Sequence, residues 1–295
     1  MIIVKIKGGL GNQLFQYAIG LELSKINKRQ LYLDLSWFKN NKTDTIRNFM
    51  LDKFQIYHEI ATEDLIKKFN NQDSVLQKII NRLSNIFLPI RFRKYIIEID
   101  NNFNNEILLL KDNFYLDGTW MNEKYFSTVK EDVRKLYSIK PFLNNYYKKI
   151  ESNILYNNSI CVHIRRGDYA NNPDTLKYHG LIPFDYYLVT MKYFSDKFKD
   201  AKFYLFSDDI EWVKSIFKNN SNICFVSNDF IDSDIQEFYL MSKCKHHVIA
   251  NSTFSWWSAW LSNNPQKIVC APKRWSSKIL DSKCLVPSNW ITFNF

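Results

Sequence analysis

Apolar positions in the second half of the chain fall into short runs separated by helix-length stretches. Ile160–Ile164, Lys202–Phe206, Ile223–Val226, His247–Ala250 and Lys267–Ala271 are dominated by apolar and β-branched residues, the pattern of strands buried on both faces. The stretches between them, Pro183–Phe198, Ile210–Phe217, Ser233–Ser242 and Phe254–Leu261, carry apolar residues at helical spacing. Strand–helix alternation of this kind predicts an α/β fold with a doubly wound parallel sheet. The first half is a looser version of the same plan. Met1–Ile6 predicts a strand, Asn12 to about Ile26 a helix with Leu14, Tyr17, Ala18 and Leu21 on its apolar face, and Leu31–Leu33 a second strand. Asn113–Trp120 predicts a strand closed by a turn, and Met121–Tyr137 one helix with Tyr125, Val129 and Leu136 inward. Pro141 marks a break. The expected domains are 1–145 and 146–295.

Chemistry gathers where these strands end. Ser159–Tyr169 reads SICVHIRRGDY, so Arg165, Arg166, Gly167 and Asp168 stand at the carboxyl end of a buried strand, where ligands collect in open α/β sheets. Two adjacent arginines there suit a phosphorylated, diphosphate-like ligand that a guanidinium can grip through two oxygens, and Gly167 would let the backbone turn tightly beside it. The plainer reading is an Arg166–Asp168 ion pair. Ser207, Asp208 and Asp209 end the next strand: as a metal site, as acceptors for a base or ribose, or with Asp208 capping the helix from Ile210. Asn251, Ser252, Thr253 and Ser255 precede or open a helix and suit a phosphate cradle. Trp256, Trp257 and Trp260 are its packing face. His163 is a buried structural histidine or a ligand contact, and His179 and Asp174 lie in a polar loop that could offer a base. Gly8, Gly9 and Gly11 form a strand-to-helix turn whose spacing matches neither a dinucleotide nor a Walker loop.

Hydrophobic residues make up 46% of the 295 positions, ample for a globular core. A formal charge of +10 favours anionic partners, but no nucleic-acid-binding pattern accompanies it, so nucleic acid is not expected. Five cysteines without a CxxC pair argue against zinc and for a reducing compartment. Met1–Ile6 is too short for a signal-peptide core, and no run approaches the length of a spanning helix; the expected location is the cytoplasm. From Lys39 to Asn105 the chain is polar and rich in Asn and Lys, with apolar helix-like pieces such as Leu76–Leu88. There Arg82, Arg91, Arg93 and Lys94 interleave with Ile86, Phe87, Leu88, Ile90 and Phe92. This reads first as a solvated face, with contact to an anionic membrane surface or a lipid-linked substrate as the alternative.

GGLGNQLFQYA at Gly8–Ala18, HIRRGDY at His163–Tyr169, FSDD at Phe206–Asp209 and NSTFSWWSAWL at Asn251–Leu261 occur in this order. Together they resemble the bacterial galactoside α-1,2-fucosyltransferases of glycosyltransferase family eleven, over essentially the whole chain. DGTWMNEKYF and APKRW resemble further landmarks, the former departing from the usual pattern at Thr119, Trp120, Met121 and Asn122. The resemblance implies a GT-B fold, two Rossmann-like domains facing across a cleft, with the acceptor on the N-terminal side. It implies GDP-β-L-fucose as donor, no metal or other cofactor, and inverting transfer to a galactose 2-hydroxyl in O-antigen or capsule synthesis, on a glycan that lipid-linked assembly would supply. By the same resemblance Arg165 stabilises the departing diphosphate, Arg166 shapes the donor pocket, and His163 and Asp209 hold guanine or ribose. Ser252, Thr253 and Ser255 bind phosphates, and Gly11 and Asn12 reach the donor from the first domain. Asp168 is the first choice of general base and, equally, a group that orients Arg166; Asp174 and His179 are reserves. Another GDP-fucose linkage, or a non-catalytic nucleotide- or glycan-binding module, are the alternatives.

Overall fold

The computed structural model describes residues 1–39, 47–70, 74–139, 143–217, 221–228, 230 and 233–294. The chain forms two compact units, Met1–Ser138 and Ile139–Phe295. The break expected at Pro141 lies outside the described residues.

In the first unit, β1 (Ile2–Lys5), β2 (Leu31–Asp34), β3 (Glu59–Ile60), β4 (Tyr95–Ile97) and β5 (Phe114–Asp117) form a parallel sheet in the order β3-β2-β1-β5-β4. The connection after β1 turns at Gly8, whose φ of 78° is a left-handed conformation that glycine adopts without strain. The helix that follows, Leu10–Asn27, starts two residues before the expected Asn12. Gln13 and Gln16, both fully buried, staple the turn: Gln13 donates to the Gly8 and Asn48 carbonyls, and Gln16 accepts the Lys7 N–H and donates to the Gly118 carbonyl. The helix predicted over Met121–Tyr137 is instead a 3-10 turn, Glu123–Phe126, and a short helix, Lys130–Leu136. The buried Glu22 accepts the N–H groups of Thr128 and Val129 between them, replacing intrahelical bonds with side-chain ones.

In the second unit, β6 (Asn158–Ile164), β7 (Ala201–Ser207), β8 (Ile223–Phe225), β9 (His246–Val248), β10 (Val269–Pro272) and β11 (Ile291–Phe293) form a second parallel sheet in the order β11-β10-β9-β6-β7-β8. Successive residues of β6 serve opposite faces. Ile160, Val162 and Ile164 pack with Tyr186, Tyr187 and Phe194 of the helix Phe184–Lys197. Cys161 packs on the other side with Tyr147, Ile150 and Ile154 of the helix Asn145–Tyr156. Both faces are covered, the doubly wound arrangement expected from the apolar runs. Strand order reverses between β6 and β9, which makes their carboxyl ends the topological switch point of this sheet.

Candidate active site

β6 ends at Ile164, and the chain passes through Arg165 and Arg166 into a short helix, Gly167–Asn171. The arginines do not wait for a ligand to neutralise them. Arg165 Nη2 lies 2.7 Å from Asp168 and Nη1 3.0 Å from Asp208, and its guanidinium sits 5.4 Å over the Tyr169 ring. Arg166 donates from Nε to Asp209 at 3.1 Å and stacks on Trp212 at 4.2 Å. Burial works against the Arg165 charge, but Asp208 and Asp168 outweigh it and push its pKa up. Carboxylates on β6 and β7 loops thus hold both guanidiniums in fixed orientations, and the Arg166 terminal nitrogens keep no protein partner among the described residues.

Several sequence-based assignments change. Asp168 grips Arg165 rather than Arg166. The helix Ile210–Ile216 is capped by Asp209, which accepts the Trp212 N–H, and not by Asp208. Asp208 instead accepts the Arg166 backbone N–H at 2.8 Å. This pair, read as a candidate metal site, is engaged with arginine. Gly167 has a different reason from a tight turn: a Cβ there would come within 2.8 Å of Asp208 Oδ2, a distance at which something must move. Glycine at this position leaves Asp208 the space it occupies beside Arg165.

On the other side of the switch point, the helix Thr253–Leu261 opens after β9. Its first N–H groups have no partners within the helix, and Ser252, at the cap position, makes no side-chain capping bond. The hydroxyl of the fully buried Ser255 donates back to the Ser252 carbonyl at 3.2 Å, which leaves its backbone N–H as the group to face an anion. Thr253 lies in the same first turn. Asn251 ties the neighbouring loops: its Nδ2 donates to the carbonyls of His179 and Trp275, and the Tyr169 hydroxyl donates to its carbonyl. Trp256, Trp257 and Trp260 are buried packing residues, as expected.

The loop after Gly167 is more ordered than its composition suggested. Asn172 caps the short helix Pro173–His179, at whose end His179 stacks on Tyr169 at 4.5 Å. Burial pushes the pKa of His179 down to about 4, against the pull of Asp168. His163 lies 5.8 Å from the Phe254 ring, and burial lowers its pKa to about 4 as well, against the pull of Asp208. Three buried polar atoms here have no hydrogen-bond partner among the described residues: Nδ1 of His163, Nδ1 of His179 and Oδ1 of Asn251. Such atoms are costly in a finished interior and fit a crevice that a polar ligand completes. Asp174 stands apart, exposed on the first turn of its helix. Gly11 and Asn12 belong to the first unit, in the opening turn of the helix Leu10–Asn27. Tyr169 and Trp212 were not singled out from sequence, and the role of Asp208 beside the arginines was not foreseen. Tyr169 and Asp208 lie inside recognised motifs, whereas nothing but its spacing from Arg166 in the fold marks Trp212.

Two parallel α/β units, one with paired arginines and unpartnered buried polar atoms at its switch point, define the fold and the candidate site. The chain belongs to glycosyltransferase family 11, whose model matches residues 1–294. It is 34% identical to the O-antigen biosynthesis glycosyltransferase WbnK of Escherichia coli, over 97% of this chain and 98% of that protein. It is also 34% identical to an α-1,2-colitosyltransferase of Escherichia coli, over 99% and 98%. A mouse galactoside 2-α-L-fucosyltransferase, Sec1, is 23% identical over 89% of this chain and 64% of that protein. No helix among the described residues is long and apolar enough to cross a membrane.

Proposed function

We propose that this glycosyltransferase moves L-fucose from GDP-β-L-fucose to the 2-hydroxyl of a terminal galactoside, with inversion, in O-antigen or capsule assembly. The observation that carries the reading is Arg165, clamped by Asp168 and Asp208 at the carboxyl end of β6. Inverting sugar transfer builds negative charge on the leaving diphosphate, and a preorganised cation stabilises that charge as it forms. Arg166 and the N–H groups at the start of the helix Thr253–Leu261 supply further donors. Arginine provides the countercharge, so no metal is invoked. His163 and Asn251, each with an unpartnered polar atom, would pair with the donor.

Asp168 acts here as a positioning residue for Arg165, since its carboxylate is committed to the guanidinium. Of the two reserve bases, His179 is the better placed to take the acceptor proton. It is neutral with an unpartnered Nδ1, whereas Asp174 is exposed on its helix.

A second reading keeps the mechanism and changes the sugar. The family relatives include a colitosyltransferase at 34% identity, so GDP-colitose is the competing donor. The test offers GDP-fucose and GDP-colitose, in EDTA, to a panel of galactosides and determines product linkage by NMR. Fucosyl transfer through the galactose 2-hydroxyl supports the first reading. Preference for GDP-colitose replaces the donor, and loss of all transfer in EDTA contradicts the metal-free mechanism.

A further inference from the structure

The helix Val75–Phe87 is docked the wrong way round for a soluble protein. Residues on an α-helix advance by about 100° each, which sets Val75, Leu76, Ile79, Ile80, Leu83, Ile86 and Phe87 on one arc of about 140°. That arc faces outward: Leu76 is 68% exposed, Leu83 49% and Phe87 74%. The buried side is polar. Asn81 and Asn85 point inward, Asn81 donating to the Phe69 carbonyl and Asn85 to the Tyr95 carbonyl while accepting the Ile97 N–H. β4 is the edge strand of its sheet, and Asn85 satisfies backbone groups that this edge leaves open, while Asn81 ties the helix to the end of Glu63–Asn70. This explains the inward asparagines. It does not explain an apolar face turned to water, since monomeric soluble proteins seldom expose contiguous patches of this kind.

The surroundings identify what covers it. Between Val75 and Ile97 the chain holds five basic residues, Lys78, Arg82, Arg91, Arg93 and Lys94, and no acidic one. Apolar exposure continues past the helix at Leu88 and Phe92, with the Arg91 guanidinium 4.8 Å over the Phe92 ring. A second copy of the chain would bring this basic rim against itself. An anionic bilayer surface accepts both features at once, apolar side chains at the acyl boundary and cations among the headgroups.

We propose that the helix Val75–Phe87 and the segment through Phe92 form a membrane-docking face for anionic phospholipid. The face lies wholly in the first unit and does not depend on which sugar the enzyme transfers.

The test is co-sedimentation of the full chain with phosphatidylcholine vesicles, with and without about one-third phosphatidylglycerol. One variant replaces Leu76, Ile80, Leu83 and Phe87 by Ser, and a second replaces Lys78, Arg82 and Arg91 by Glu. Wild type is expected to bind the anionic vesicles and not the neutral ones. The Ser variant should lose binding about tenfold or more, and the Glu variant at least about fivefold, with transfer to a soluble galactoside unchanged. The Glu variant leaves the apolar face intact, so it carries the test if the Ser variant fails to fold. Absence of binding to anionic vesicles, or equal binding by the variants, overturns the proposal. So does a wild-type dimer that the Ser variant converts to monomer without any vesicle binding.

Discussion

In the first unit, the aspartates at the carboxyl ends of the strands are held by lysines and tyrosines. Asp117 takes Lys5 at 3.1 Å, Lys7 at 2.5 Å and the Tyr95 hydroxyl at 2.9 Å. Beside it the buried Asp34 accepts from the Tyr115 hydroxyl and from the Ser36 N–H. Burial pushes the pKa of Asp117 up, but Lys7 and Lys5 overcome it and hold the group below the usual range. In the second unit the equivalent strand ends are charged as heavily but left open. The arginines are oriented by aspartates, while His163, His179 and Asn251 each keep a buried polar atom without a partner among the described residues. Two parallel sheets thus carry two kinds of strand end. A closed ion cluster contributes to holding the sheet together, and an open one leaves groups to be satisfied by something that binds.

Substitutions should therefore separate the two units, with rate lost in one and stability in the other. The largest effect is expected for Arg165→Ala, a loss of about 10²–10³ in kcat. Asp117→Asn should rank next, lowering stability by about 3 kcal/mol, read from the urea midpoint; a similar loss of activity per folded molecule would break the contrast. Gly167→Ala requires Asp208 to shift beside Arg165. It should cost about 1–3 kcal/mol, and activity per folded molecule should fall by about tenfold or more; full activity would show that the Asp208 contact is dispensable.

Asp168→Asn distinguishes positioning from base catalysis. As a positioning change it should lower kcat about tenfold and leave the pH profile in place. A loss of about 10³ with a vanished acidic limb would restore Asp168 as the base.

The smallest effects are those of pH. His163 has its pKa lowered to about 4 by burial, against about 6.5 unfolded. Between those values the unfolded chain binds the extra proton, so stability falls as pH drops, by at most about 1.4 kcal/mol per unit from this group. Above about 6.5 its contribution is constant. Glu237 acts in the opposite sense. Burial raises its pKa to about 7, although Ser227 and Tyr147 donate to it. It favours the folded state below its unfolded pKa, near 4.5, and that contribution is lost as pH rises through about 7. Urea midpoints of His163→Gln and Glu237→Gln across pH 4–8 should tilt in opposite directions relative to wild type. Parallel curves would contradict both assignments.

Much of this architecture was legible because burial on both faces writes long apolar runs. β6 and β7 were recognised almost to the residue, and so was the helix Phe184–Lys197 between them, whereas the short helices Gly167–Asn171 and Pro173–His179 were read as loop. Short edge strands left no such trace. Glu59–Ile60, Tyr95–Ile97 and Ile291–Phe293 have few apolar positions to mark them, and pairing with neighbours makes them strands. The helix expected over Met121–Tyr137 failed because its periodicity is real but interrupted by the Glu22 contacts, which come from over a hundred positions away in sequence. At the site, the residue types at the strand ends were readable and their pairing was not. Which aspartate meets which arginine depends on register between β6 and β7 and on the space above Gly167. The inward asparagines of the helix Val75–Phe87 escaped for a similar reason. An amphipathic pattern shows two faces and does not say which one the protein keeps.

The central claim is that Arg165 at the end of β6 drives departure of the diphosphate. Its most direct test is kcat for GDP-fucose-dependent transfer by Arg165→Ala, measured beside GDP affinity by calorimetry on the same preparation. A fall in kcat of about 10²–10³, well beyond any loss of GDP affinity, is the predicted result. A kcat within about threefold of wild type, in a variant that still binds GDP, would contradict it.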